Sequence, residues 1–206
     1  VEDGTYKGEG NRDIDFKGKA ITVKSQNGAE KCIIDCQGSK DSEHRGFLFH
    51  NAETGQSVLN GFTVQNGFIK RGVQEFDGGG GIKCDNSSPS ITNCIIQNNH
   101  FLNDALDYKE GGGGGGGIYC TNNASPTISG CIIRSNIVED CSAYGGGICV
   151  DFNATLNLID CTIQGNIVRS RRVCGGGIYV GSTSQLPDSC NSLVKIDRCT
   201  ITDNQC

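Results

Sequence analysis

The 206-residue chain contains no Met, no Trp and only three prolines, and aromatic residues make up 6% of it. No run approaches the ~18 consecutive apolar residues of a membrane span, so no transmembrane helix is expected. There is no CxxC pair, and only three histidines are present, His44, His50 and His100. The common zinc spacings are thereby excluded. Positive charge is also in deficit: 18 Lys and Arg stand against 23 Asp and Glu, for a net charge of −5 and a pI near 5.2. A nucleic-acid partner would want a basic face. The most basic stretch, Arg169-Ser170-Arg171-Arg172, reads as a solvated loop. No metal, cofactor or nucleic acid is expected.

Glycine and cysteine are what the chain has in excess, with 31 and 13 residues. The glycines are clustered, and β-branched blocks such as Cys32-Ile33-Ile34-Asp35 recur between the clusters, which disordered sequence lacks. Thirteen cysteines without a metal or redox motif point to an oxidising, extracellular compartment.

The order behind these clusters is a repeat. One unit reads Gly79-Gly80-Gly81-Ile82-Lys83-Cys84, a polar turn, then Ser90-Ile91-Thr92-Asn93-Cys94-Ile95-Ile96 on to Asn99. The Gly-Gly-Gly-Ile isoleucines fall at 82, 118, 148 and 178, and the cysteines of the second block at 94, 131, 161 and 199. Each repeat is read as two short strands joined by loops of variable length. Such strands bury a face only by stacking on their own copies. The period within blocks is two, not the 3.6 of a helix. Cys94 and Ile96, two apart, share one strand face, as do Cys131 and Ile133, Cys161 and Ile163, and Cys199 and Ile201. These eight residues are expected to form the core ladders, cysteine acting as a small apolar residue. Asn99, Asn136, Asn166 and Asn204 close the blocks and are expected to stack as a corner ladder in the αL conformation. The triple glycines allow close approach of neighbouring coils.

The first third lacks Gly-Gly-Gly but keeps strand blocks at 20–23, 32–35, 47–49 and 58–64, separated by Asn27-Gly28, Gln37-Gly38 and Asn66-Gly67 turns. The reading is an all-β chain: one right-handed parallel β-helix domain over residues 1–206, with about seven coils and a length of roughly 30 Å. Its opening, Val1-Glu2-Asp3-Gly4, reads as the middle of a strand and turn. That pattern is expected of a chain whose leader is gone, or of a segment of a longer solenoid.

Asp3-Gly4-Thr5-Tyr6, with Lys19-Ala20-Ile21-Thr22-Val23 and Cys32-Ile33-Ile34-Asp35, resembles the first coils of pectate-lyase-like right-handed β-helix proteins. Gly80-Gly81-Ile82, Gly116-Gly117-Ile118, Gly146-Gly147-Ile148 and Gly176-Gly177-Ile178 resemble the Gly-Gly-Ala/Ile motif of bacterial polymorphic outer-membrane proteins. The Ile-x-x-Asn blocks resemble their Phe-x-x-Asn motif. The resemblance spans nearly the whole chain and implies the fold. That fold hosts lyases, hydrolases, adhesins and surface scaffolds alike.

Catalysis on such a scaffold needs a carboxylate pair, or calcium-binding carboxylates with an Arg or Lys base. Asp13 and Asp15 alternate on one face within a charged turn, and Asp160 and Asp197 are placed as neighbours on an outer face. His44 and Arg45 lie in a loop without a recognisable partner. No motif of a polysaccharide lyase is present, so no catalytic residue is assigned. The loop from Asn103 to Asp107 offers oxygen ligands at a spacing unlike an EF-hand.

Cys141, Cys174, Cys190 and Cys206 stand outside the ladders and are the disulfide candidates, with Cys141–Cys174 the expected pair. Thirteen is odd, so one thiol is left over. Asn86, Asn123 and Asn153 head glycosylation-type triplets at equivalent turns. The expected function is a non-catalytic extracellular building block of a cell surface or filament. It self-associates end to end through open solenoid ends that lack a cap. The alternative is a carbohydrate-active or carbohydrate-binding β-helix whose partner is a polysaccharide.

Overall fold

The computed structural model describes residues 1–71, 77–103, 114–139, 144–169, 175–181 and 191–206. Among the described residues every strand-to-strand ladder is parallel, antiparallel contacts being confined to the isolated bridges Ser39–Ser42 and His44–Phe68, and no helix occurs. The chain winds through the same sheets in the same order, turn after turn.

The cysteine sheet holds Gly4–Lys7, Cys32–Asp35, Thr63–Gln65, Ile95–Gln97, Ile132–Arg134, Thr162–Gln164 and Thr200–Thr202. A short sheet follows it from the third coil onward, formed by Phe68–Lys70, His100–Leu102, Ile137–Glu139 and Ile167–Arg169. The glycine sheet contains Ile14–Asp15, Phe47–Phe49, Ile82–Asp85, Ile118–Thr121, Ile148–Val150 and Ile178–Val180. A closing sheet completes each turn with Thr22–Lys24, Val58–Asn60, Ser90–Thr92, Thr127–Ser129, Thr155–Ile159 and Leu193–Asp197.

The fold class is the expected parallel β-helix, but two details of the sequence reading change. The six-stranded sheets bound five windings and the seven-stranded sheet six, so about seven coils was slightly high. A repeat also holds four strands rather than two. Asn93 (φ 51°) and its counterparts Gly130 (61°), Asp160 (53°) and Arg198 (49°) are left-handed and break what reads as one block into two strands. The strand after each Asn corner falls in what the repeat pattern leaves as loop.

The core is a set of columns running along the axis. Register stacks Ile96 on Val64 and Ile133, and Ile133 on Ile163, all fully buried. Ile82, Ile118 and Ile148 form a second buried column, and Leu59, Ile91, Ile128 and Leu158 a third. Each fully buried aliphatic side chain contributes about 1.5–3 kcal/mol, and no single coil encloses one without a neighbour. A smaller satellite core, Ile69, Phe101, Val138 and Val168, backs the short sheet.

Candidate functional site

The corner ladder is built from amide side chains. Asn99 Nδ2 donates to Asn136 Oδ1 at 3.0 Å, Asn136 to Asn166 at 3.0 Å, and Asn166 to Asn204 at 2.9 Å. Each Oδ1 also accepts the backbone N–H of the Asn one coil earlier, and each Nδ2 reaches a backbone carbonyl: Val64, Ile96, Ile133 and Ile163. The left-handed conformation expected of these asparagines belongs instead to the residue before each: Asn98, Ser135, Gly165 and Asp203. That shift turns the asparagine side chain inward, where it serves backbone groups that would otherwise be buried unpaired.

The third glycine of each run faces this ladder. A Cβ on Gly117 would lie 2.7 Å from Gly147 O and 2.9 Å from Asn136 Nδ2, and one on Gly116 would lie 2.5 Å from Ile137 O. The runs are therefore spacers for backbone packing.

Cys94, Cys131 and Cys161 are buried at the start of the cysteine sheet, and Cys199 is half-buried. Cys94 N–H points to Cys131 Sγ and Cys161 N–H to Cys199 Sγ, each at 3.3 Å. Cys84 and Cys120 stack in the glycine sheet. The ten described cysteines are all free thiols, including the exposed candidate Cys206. Cys141, Cys174 and Cys190 lie outside the described residues, and so does the expected Cys141–Cys174 pair. Asn86, Asn123 and Asn153 are exposed and left-handed at one edge of consecutive coils. Asn153 Oδ1 accepts the N–H of Asn191 at 2.9 Å. Of the oxygen-rich loop, residues 104–107 lie outside the described residues.

Charge gathers on the outward face of the glycine sheet. Arg45, buried, donates to Gly78 O at 2.7 Å and to Asp77 Oδ2 at 2.8 Å. Lys83 Nζ bridges Asp77 and Asp85 at 3.3 Å each. Burial pushes the Asp77 carboxyl up, but Arg45 and Lys83 outweigh it and hold the group below the usual range. Tyr119, one coil on from Lys83, is fully buried under Gly78 and Gly79, and among the described residues its hydroxyl has no hydrogen-bond partner. Tyr144 stacks on Tyr179 further along, with ring centroids 4.4 Å apart.

A second polar cluster sits on the first coils and corrects the reading of His44 as partnerless. His44 Nδ1 lies 2.5 Å from Asp13 Oδ2, and its Nε2 lies 3.0 Å from Ser42 Oγ. Asp13 Oδ1 accepts Arg45 N–H at 2.9 Å. The order Ser–His–Asp is that of a nucleophile relay. Here the carboxylate ties a left-handed turn to the next coil, and Ser42 lies exposed on a hairpin. Asp15 accepts from Asn51 at 3.0 Å and Lys17 N–H at 2.6 Å. Asp160 and Asp197 are neighbours on the outer face as expected, joined through Arg198, which lies 2.7 Å from Asp160 and 2.5 Å from Asp197. The signal missed for His44 is distance in sequence: its partner lies 31 positions away, one winding back.

Among the described residues, every carboxyl with a displaced pKa is displaced downward: Asp15, Glu53, Asp77 and Asp160. A general acid needs the opposite shift. Lys83 is engaged by two carboxylates, Asp77 and Asp85. No group of three or more potential metal ligands occurs among the described residues. No helix there is long and apolar enough to cross a membrane.

Parallel coils stacked about one axis around columns of buried aliphatic side chains define a β-solenoid. The chain belongs to the right-handed beta helix family, which it matches over residues 7–206. No curated protein and no solved structure matches it.

Proposed function

We propose that the chain is a non-catalytic structural β-helix that works outside the cell as a surface or filament building block and stacks end to end with its own copies. The observation that carries this reading is a register that repeats unchanged from coil to coil, Val64 on Ile96, Ile133, Ile163 and Ile201, on a body whose displaced carboxyls are all depressed. The columns of Val150, Leu158 and Ile163 continue in Val180, Ile196 and Ile201. Gly4–Lys7 and Thr200–Thr202 belong to one sheet. A second copy continuing the register would set its Tyr6 against Ile201 and its Gly4 against Cys199. Such a head-to-tail contact propagates without closing. The depressed carboxyls support a role without acid–base chemistry. The cysteine content and the resemblance to polymorphic outer-membrane-protein repeats support a surface location. The sequon edge supports a sugar-bearing one.

Light scattering on the 206-residue chain across a concentration series tests the stacking. Growing oligomers are expected, reduced to monomer by Ile196→Asp with Ile201→Asp. A monodisperse monomer throughout sinks the proposal. The outward Lys83, Asp85 and Tyr179 face favours a second reading, a polysaccharide-binding β-helix. Glycan-array binding lost on Lys83→Ala would support that one.

A further inference from the structure

The cysteine column carries four thiols on four consecutive rungs, and its members differ in one respect, access. Register pairs Thr162 with Thr200 and Ile95 with Ile132, which places Cys161 beside Cys199 and Cys94 beside Cys131. Rungs of a parallel sheet lie ~4.8 Å apart. That spacing is inside the ~4.4–6.8 Å Cα separation of disulfides. Joining the sulfurs needs the Cβ atoms drawn in by roughly 1 Å. The position favours this, because each cysteine follows a left-handed corner residue, Asp160 and Arg198 in one pair, and precedes the first paired residue of its strand. Cys94, Cys131 and Cys161 are no more than 2% exposed, whereas Cys199 is half-buried.

We propose that Cys161 and Cys199 form an oxidation-made staple that ties the coil of Thr200–Thr202 to that of Thr162–Gln164. The oxidant is a small-molecule disulfide such as oxidised glutathione. The thiolate of Cys199 attacks one glutathione sulfur and releases the first glutathione thiol. The thiolate of Cys161 then attacks the Cys199 sulfur of the mixed disulfide and releases the second. Two protein thiols are oxidised, one disulfide is reduced to two thiols, and two protons pass to the departing thiolates. Cys94 and Cys131 have the same stacking but no accessible member, so in the folded chain they stay reduced. The staple lies within one chain and forms where Cys199 is open to solvent. A second copy with its Gly4 against Cys199 would block it, so the two are read separately by mapping the unstacked chain at low concentration.

The test is the folded 206-residue chain exchanged with oxidised glutathione, then alkylated and digested with trypsin plus endoproteinase Asp-N. That digestion yields fragments in which 160–169 carries only Cys161 and 199–202 only Cys199. The expected result is a disulfide-linked pair of these two fragments, with Cys94 recovered alkylated. Cys161→Ser is expected to trap Cys199 as the glutathione mixed disulfide. Recovery of Cys161 and Cys199 both as alkylated thiols overturns the proposal. So does a Cys199–Cys206 bond in place of Cys161–Cys199, or equal oxidation of Cys94. The wild-type map stands alone if the serine variant does not fold.

Discussion

The first coils, up to about Gly67, and the repeat coils that follow close the same winding by different means. In the first coils Phe16, Phe47, Phe49 and Phe62 fill the interior, Phe16 meeting Phe49 edge-on at 5.0 Å and Phe47 stacking on Phe49 at 6.3 Å. Phe62 takes the column position that Cys94 holds one coil later. Corner N–H groups there are met by carboxylates: Glu53 accepts from Gly18 and Asn51, and Asp13 from Arg45. The repeat coils have isoleucine, cysteine and alanine in the main core, and asparagine amides at the corner. Identical rungs let one small side chain pack and one amide ladder serve every coil. Unlike rungs need larger rings to fill a changing cross-section, and individually placed charges to meet the backbone. Regularity here substitutes for side-chain size.

The comparison breaks most readily in the aromatic cluster. Phe49→Ala should cost about 3–5 kcal/mol, the usual loss for a buried Phe that leaves a cavity. Because a solenoid is coupled only to nearest neighbours, amide exchange should accelerate in the first coils while Ile96 and Ile133 stay protected. Equal acceleration throughout would show the two regions to be one cooperative unit. Next is Asn136→Ala, which leaves Asn99 N–H and Ile96 O buried without their partner. The expected loss is about 2–4 kcal/mol, from an unpaired buried polar group costing ~1–3. Its exchange pattern should be the mirror image, with opening centred on the repeat coils. Denaturant unfolding of both variants measures the pair.

Much of this division is readable in the primary structure, because repetition announces itself. The Cys-x-Ile spacing locates the inward face, and Ile-x-x-Asn locates the corner, since both depend on residues near in sequence. Reading Ser90 to Gln97 as one strand fails because the left-handed Asn93 carries no signal separable from ordinary strand-end polarity. The outer charge cluster is illegible for a different reason. Arg45 meets Asp77 across 32 positions, and loops of unequal length make such partners impossible to align by counting. The short sheet was missed because three residues after a corner read as loop until a neighbouring coil pairs with them.

Acid separates the regions without mutation. For Glu53 and Asp15, burial raises the pKa, but donated hydrogen bonds outweigh it and leave both depressed. A carboxyl depressed in the folded state contributes stability above its unfolded pKa, and loses it as pH falls through the folded value. Unfolded Asp and Glu titrate near pH 4. Loss should therefore begin just below that pH and deepen as the folded values are crossed. The asparagine ladder does not titrate. Lowering pH should open the first coils, and the Asp77–Arg45 contact that joins them to the third coil, before the corner at Asn136. Exchange measured from pH 5 downward reads this order, and earlier loss at Asn136 would contradict it.

The smallest effect is expected at the Asp160–Arg198 pair, and it sharpens where charge matters. The geometry is good, with two guanidinium bonds of 2.7 and 3.0 Å. The Arg198 hydrogen bond holds the Asp160 carboxyl below its usual range, and Asp160 in turn raises Arg198. Both groups are nevertheless open to solvent, where water and salt screen the attraction and fixing a long side chain costs entropy. Arg198→Ala should leave the melting temperature within measurement scatter, at low salt and at about 1 M alike. Asp77→Asn, by contrast, removes a partner from buried Arg45 and should destabilise measurably. If the two substitutions cost the same, burial is not what makes the charges of the first coils count. Their contribution would then rest on backbone N–H groups alone, as at Glu53.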